Sequence, residues 1–217
     1  MKVAIVIPAF NEAETIAGVV RAVSGYGTPV VVDDGSTDDT GARASAAGAV
    51  VVRQHPNRGY DAALAHGFDK ADEIGADVIV TADADGQLDP ASIAPMIERI
   101  EQGQARMVLG IRESGAARWS EALFNLYCRL RFGVPDILCG MKGFHIDVYR
   151  AYRTAMDMPS VYTAMALSAL RAGVPLALVS VPVRARPGAS RFGGAWRANA
   201  KIARSLGRAI LDDVARR

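Results

Sequence analysis

Three apolar runs in this chain stop in the same way. Val3-Ala4-Ile5-Val6-Ile7 ends in Pro8-Ala9-Phe10-Asn11-Glu12, and Pro29-Val30-Val31-Val32 ends in Asp33-Asp34-Gly35-Ser36-Thr37-Asp38. The third, Ala76-Asp77-Val78-Ile79-Val80, ends in Thr81-Ala82-Asp83-Ala84-Asp85-Gly86-Gln87. Short unbroken Val/Ile runs bounded by turn residues read as strands buried on both faces. Helix-like patterns lie between them: Glu12 to about Val23, Asp38–Ala47, Tyr60–Ile74 and Pro90–Gln102, the last with Asp89 as N-cap and Pro90 at the first helical position. Further strands are expected at Val50–Arg53, Val78–Thr81 and Arg106–Ile111. Strands alternating with helices predict βαβ units and a mostly parallel central sheet, an α/β fold.

At 217 residues, half of them hydrophobic and 22% charged, the chain reads as one globular domain with a sizeable core. Two cysteines, Cys128 and Cys139, make neither a disulfide framework nor a metal site by spacing. Reduced thiols in the cytoplasm are the expectation. The longest apolar run, Val174 to Val183, is interrupted by Ser180 and Pro182 and falls well short of a membrane span. The N-terminal apolar run meets Asn11, Glu12 and Glu14 at once, so it is read as a first strand rather than a leader.

Charge is distributed unevenly. Residues 184–217 carry nine Lys and Arg against two Asp, a balance of +7, whereas residues 1–183 carry −5. A basic end on an acidic body implies an anionic partner. Nucleic acid is set aside, because the basic cluster has no interleaved aromatic residues and no reader motif.

The strand ends carry the chemistry. In open α/β sheets ligands bind at the carboxyl edge. Asp83 and Asp85 leave that edge one residue apart, with the Gln87 carboxamide two positions on. Oxygen ligands of this kind suit Mg²⁺ or Mn²⁺, whose shell a substrate diphosphate completes. The plain alternative is a polar turn. Asp33 and Asp34 can accept hydrogen bonds from a ribose or a base, or else cap the following helix.

These residues resemble glycosyltransferase family 2, and within it the polyprenyl-phosphate branch similar to dolichol-phosphate-mannose synthases. The matching stretches run in order: Ile5–Glu12, Val31–Asp38, His55-Pro56-Asn57-Arg58-Gly59-Tyr60-Asp61-Ala62-Ala63-Leu64, Asp83–Gln87 and Cys139-Gly140-Met141-Lys142-Gly143-Phe144. The resemblance covers roughly residues 3–192. It implies a single-domain GT-A (Rossmann-like nucleotide-diphospho-sugar transferase) fold. It further implies an inverting, metal-dependent transfer of a sugar from a nucleotide-sugar donor to a polyprenyl phosphate.

By the same resemblance Pro8, Phe10, Glu12, Asp34 and Asp83 would bind the nucleotide, Phe10 standing where Tyr is more usual. Asp85 and Gln87 would bind the metal directly. Asp83 would either reach it through water or bind ribose. Arg112, in the half expected to hold the acceptor, and Arg186 would serve phosphates in catalysis, Arg186 as the diphosphate contact with Arg184 the other reading for it. Arg131, Ser190 and Arg191 would receive the acceptor phosphate. The family's usual base motif for hydroxyl acceptors is missing, which favours an acceptor that is already ionised. Asp136 is the reserve base. His55, His66 and His145 read as structural.

Two stretches suit either a lipid surface or a helix packed on the core. Leu123, Phe124, Tyr127, Leu130 and Phe132 form an apolar set beside Arg129 and Arg131. In the C-terminal segment, residues 196–217, Ile202, Leu206, Ile210 and Val214 form a helical stripe with Ala203 and Ala209 beside it, among basic residues. The catalytic domain is thus expected over residues 1–195. The C-terminal helix is either part of it or a peripheral contact with an anionic membrane surface at the cytoplasmic face. The rival functions are transfer to a hydroxyl acceptor, nucleotidyl transfer and a non-catalytic nucleotide-sugar-binding module. Nucleotidyl transfer is disfavoured by the lack of a Gly-rich loop after the first strand.

Overall fold

The apolar runs are strands of one sheet. The computed structural model describes residues 1–114, 118–154, 161–184 and 195–215. Its strands are β1 (Val3–Ala9), β2 (Thr28–Asp34), β3 (Val50–Gln54), β4 (Val78–Thr81), β5 (Met107–Arg112), β6 (Lys142–His145) and β7 (Leu176–Val181). Their spatial order is β3-β2-β1-β4-β6-β5-β7. All pairs are parallel except those of β6, which runs antiparallel to both β4 and β5. The carboxyl ends of β1, β2, β4, β5 and β7 therefore share one edge, and the amino end of β6 enters the sheet there.

Helices cover both faces. On one lie α1 (Ile16–Val23), α2 (Thr40–Ala46) and α4 (Ile93–Glu101), over a core of Ile5, Ile7, Val31, Val80 and Val108. On the other lie α3 (Tyr60–Glu73), α5 (Trp119–Phe132), α6 (Ile146–Tyr152), α7 (Val161–Arg171) and α8 (Ala195–Ala215), over Val6, Val30, Phe68, Ile79 and Phe144. Neighbours along β1 alternate between the two cores, as a pleated strand requires. Each fully buried Val or Ile contributes about 1.5–3 kcal/mol. α3 approaches closely because its Gly67 faces the sheet: a Cβ there would lie 2.3 Å from Cγ1 of Val6.

The expected strands β1 to β5 and helices α2 to α4 are present within a residue or two. Asp89 caps as expected, its carboxylate accepting from Ala91 N at 3.1 Å ahead of a 3₁₀ turn at Pro90–Ser92 that leads into α4. α1 begins at Ile16 rather than Glu12. Residues 11–15 are held in a loop instead: Asn11 has φ 54°, Glu12 N donates to Thr40 Oγ1 at 2.8 Å, and Thr15 N and Ile16 N donate to Glu12 O. Two strands were not anticipated. β6 is only Lys-Gly-Phe-His, too short for a period, and β7 lies inside the interrupted run near Ser180.

The apolar set expected on α5 divides between two faces. Phe124 is fully buried and Tyr127 half-buried, while Leu123 and Leu130 are exposed. α8 divides likewise. Ala209 is buried and Ile202 and Leu206 half-buried against the other core helices, but Ile210 and Val214 point to solvent.

Candidate active site

Pro8 and Ala9 finish β1 as buried residues, and Phe10, 42% exposed, follows them. Asn11 N donates to Ser36 Oγ, and Thr37 N donates to Asn11 Oδ1 at 2.8 Å, so the loops after β1 and β2 are stitched together. Glu12 is buried beside Thr15, whose hydroxyl reaches its carboxylate at 3.0 Å.

The two aspartates of β2 are both held in local hydrogen bonds. Asp33 Oδ1 accepts from Ser36 N at 3.0 Å, and Arg53 lies 3.3 Å from its Oδ2. Asp34 accepts from Arg58 N at 2.7 Å, from Gly59 N at 2.8 Å and from the Gln54 carboxamide, which also meets His66. Asp34 thus supplies negative charge to the start of α3, where free N–H groups favour it. Three of its roughly four acceptor positions are in use.

β4 delivers Asp83 and Asp85, both half-buried. The Asp85 carboxylate accepts from Gln87 N at 3.0 Å, which folds the turn back on itself. Asp83 Oδ1 accepts from Tyr60 Oη at 3.2 Å. Burial pushes the Asp83 carboxyl up to about 6, and the charge of Asp85 adds to this; Tyr60, Lys142 and Arg112 act in the opposite direction. Behind Asp83 lies Gly140, where a Cβ would stand 2.2 Å from Oδ2. Gly140 is pinned in turn: its carbonyl accepts from Thr81 Oγ1 at 2.7 Å, and Thr81 Oγ1 accepts from Lys142 N at 3.1 Å. Lys142 is buried, donates Nζ to Cys139 O at 2.8 Å, and is pushed down to about 8 by burial.

β5 delivers Arg112 to the same edge. Asp136 grips it with two bonds, Nε to Oδ2 at 2.7 Å and Nη2 to Oδ1 at 2.9 Å, and Glu121 adds a third at 3.2 Å. This bonding to Asp136 holds the guanidinium firmly charged. Glu121 also accepts from Arg118 Nη1 at 2.8 Å, so two arginines meet across one buried glutamate at the start of α5.

Pro8, Phe10, Glu12, Asp34, Asp83, Asp85, Gln87 and Arg112 therefore all lie at the strand ends or the loops leaving them. Arg131 does not join them: it pairs with Asp213 of α8 at 3.0 Å, near the far end of α5. Asp213 also receives Tyr127 Oη at 2.8 Å and Arg171 Nε at 2.6 Å. Arg184 stays close to the metal-type turn, its N–H on Gln87 O at 2.7 Å and its guanidinium 3.0 Å from Asp89. Arg186, Ser190 and Arg191 lie outside the described residues. Sequence reasoning missed Tyr60, Lys142, Arg118 and Glu121. Tyr60 and Lys142 stood inside family-matching stretches without being singled out, and Arg118 and Glu121 carried an i,i+3 pair opening a helix.

Among the described residues no group of three or more His, Cys, Asp or Glu forms a closed metal cage. Asp83 and Asp85, with Gln87 two residues on, offer oxygen donors of the kind an open site would use, with substrate phosphate oxygens and water in the remaining positions. The donor set fits a hard divalent cation, which would offset the repulsion between Asp83 and Asp85.

A parallel α/β sheet with one antiparallel strand, acidic turns on its β2 and β4 ends and covering helices on both faces defines the GT-A class. The same architecture occurs in glucosyl-3-phosphoglycerate synthase from Mycobacterium tuberculosis, solved with Mn²⁺, UDP-glucose and phosphoglyceric acid. That protein is 22% identical, with a TM-score of 0.74 over 97% of this chain and 79% of that one. Residues 4–153 match the family described as Glycosyl transferase family 2, and the chain belongs to it.

Among curated relatives, a UDP-N-acetylglucosamine–dolichyl-phosphate N-acetylglucosaminyltransferase from Methanococcus voltae is 32% identical over 127 residues, 50% of this chain and 51% of that protein. A polyprenol monophosphomannose synthase from Mycolicibacterium smegmatis is 32% identical over 170 residues, 69% of this chain and 60% of that protein. This chain thus spans about half to three fifths of their length.

Proposed function

We propose that this chain moves a sugar from a nucleotide sugar to a polyprenyl phosphate with inversion at the anomeric carbon, at the cytoplasmic face of a membrane. One observation carries the choice of acceptor. Both buried carboxylates of the acceptor side, Asp136 and Glu121, are locked in arginine pairs. Neither is placed to take a proton from a hydroxyl, and a phosphate, already ionised at neutral pH, asks for no base. Two relatives named above act on dolichyl phosphate and polyprenol, which supports the same reading.

In this reading the exposed Phe10 ring offers a stacking face for the base. Glu12 and the remaining acceptor position of Asp34 meet polar atoms of the nucleoside. Asp83, Asp85 and Gln87 would hold Mg²⁺ or Mn²⁺, which as a Lewis acid would stabilise charge on the departing diphosphate. Arg112 and Arg118 aim N–H donors at phosphate oxygens, an orientation fixed in advance by Asp136 and Glu121. An acceptor phosphate oxygen attacks the anomeric carbon as the bond from that carbon to the diphosphate oxygen breaks. The electron pair leaves with the nucleoside diphosphate, so no proton need move. Arg186 contributes to the diphosphate side, and Ser190 and Arg191 to the acceptor phosphate.

The test is a panel of nucleotide sugars with Mg²⁺ or Mn²⁺, analysed by product mass with and without a polyprenyl phosphate. A glycosyl phospholipid that forms only with lipid phosphate and divalent ion is the expected product. Glycosylation of a hydroxyl compound in its place would overturn the acceptor assignment, and turnover undiminished by chelator would overturn the metal.

A further inference from the structure

The outward face of α5 is apolar from end to end. Trp119, Leu123, Leu126 and Leu130 recur at i, i+4, i+7 and i+11, which places them within about 60° of one another on the helix. All four are exposed, Leu130 by 80%. Such a continuous stripe differs from scattered surface leucines, which call for no explanation.

α8 extends the stripe. It lies parallel to α5: Ser120 Oγ meets Asn199 near their amino ends, and Tyr127 and Arg131 meet Asp213 near their carboxyl ends. Lys201 fastens one flank of α8 to Asp61 of α3. The opposite flank, on the side of α5, carries Trp196, Ile210, Leu211 and Val214, all exposed. The two stripes therefore border the same groove and form a single two-helix face.

The rims of this face are basic. Arg129 borders the α5 stripe, and exposed Arg204 and Arg208, the latter 3.7 Å from Asp212, border the α8 stripe on its outer side. The chain contains two tryptophans, and both stand on this face at the amino ends of their helices. That end is next to the active site, since Arg118, one residue before Trp119, reaches Arg112 through Glu121.

We infer that this face docks on an anionic lipid bilayer, with α5 and α8 lying in the plane of the interface and the tryptophan end nearest the site. Apolar side chains flanked by arginines match a surface of acyl chains beneath anionic headgroups. Tryptophan belongs at that boundary, where an apolar ring and an N–H both find partners. A second copy fits less well. Both rims carry arginine, so any two-fold pairing of the face with itself sets like charges against each other. The lipid-phosphate acceptor proposed above gives the docking its purpose, but the surface can be tested without turnover.

The probes are vesicles of phosphatidylcholine alone and vesicles of equimolar phosphatidylcholine and phosphatidylglycerol. The full chain should sediment with the anionic vesicles only, and less as salt rises. Its tryptophan emission should shift to the blue and be quenched by brominated acyl chains. Trp119→Phe and Trp196→Phe each leave one reporter, and both should respond.

The double substitution Leu126→Glu with Leu130→Glu, on solvent-facing positions, should lower vesicle affinity at least about tenfold. It should leave the melting temperature and transfer to detergent-dispersed acceptor unchanged. Failure of the full chain to bind anionic vesicles at low salt overturns the docking, as does binding without quenching of either tryptophan. A dimer that this double variant dissolves, with no vesicle binding, assigns the face to self-association instead. Vesicle binding through this face with no transfer to any lipid phosphate leaves the docking standing and removes the acceptor reading. Transfer in detergent without vesicle binding does the reverse.

Discussion

The two sides of the active-site edge fix their charged groups by different means. On the donor side, Asp34 is held by two backbone N–H groups and a carboxamide, and Asp83 by a tyrosine hydroxyl. These partners carry no charge of their own, whereas those on the other side are ions. On the acceptor side, Arg112 is held by Asp136 and Glu121, and Arg118 by the same Glu121. Two positive and two negative groups cancel there. What remains is a set of N–H donors with a fixed direction rather than a net field. In the proposed function the donor edge would recruit by charge, and the acceptor edge would select by geometry.

The largest effect should come from the donor edge. Asp85→Ala removes half of its carboxylate pair and should lower transfer by roughly a thousandfold, in the range seen when a preorganised electrostatic group is deleted. The melting temperature should stay close to that of the parent. A folded variant with full turnover would remove the charge-recruiting role.

Asp136→Ala should behave in the opposite manner. It takes from Arg112, which is largely buried, its two-bond partner and leaves only the longer contact with Glu121, and should cost about 3 kcal/mol of folding stability in denaturant titration, along with activity. If stability is untouched, the acceptor side is not the neutralised network described above.

Asp34→Ala leaves Arg58 N and Gly59 N without their acceptor at the head of α3. About 2 kcal/mol of stability should be lost, together with nucleotide affinity measured calorimetrically in the absence of metal. Loss of affinity alone, with stability intact, would make Asp34 purely a ligand to the base.

The smallest effect sharpens the comparison most. Gly140→Ala should displace the Asp83 carboxylate, weakening binding of a nucleoside diphosphate in the presence of Mn²⁺ by about tenfold, or 1.4 kcal/mol. Binding without Mn²⁺ should be unchanged. Equal losses in both conditions would indicate a general disturbance of the edge.

The donor side was largely legible in the sequence because its rule is local. An apolar run ending in Asp-x-Asp needs no distant partner to be read, and β1, β2 and β4 appear where their runs predicted. The acceptor side depends on pairings far apart in the chain. The resemblance put Arg131 at the acceptor phosphate, and the structure pairs it with Asp213, 82 residues further along the chain. Asp136 looked like a spare base, yet it grips Arg112 across 24 residues. The same limit explains the helices. Periodicity placed stripes on α5 and α8 but could not tell which flank of each the neighbouring helix would cover, so Leu206 went in and Val214 out. β6 was invisible because its four residues depend on strands on both sides rather than on any pattern of their own.

That strand has a further consequence. β6 lies between β4 and β5 in a sheet that crosses from donor to acceptor side without a break. The two sides therefore have no hinge between them and cannot close like jaws. The strand carrying the carboxylates and the strand carrying Arg112 are two lattice steps apart, about 10 Å, and the hydrogen-bonded ladder keeps them so. The sheet acts as a ruler: in the proposed reaction, the interval across which donor and acceptor would meet is set when the protein folds. Adapting this site to a longer or shorter gap would require a change of strand order or of the loops above the edge, not a swing of one half against the other.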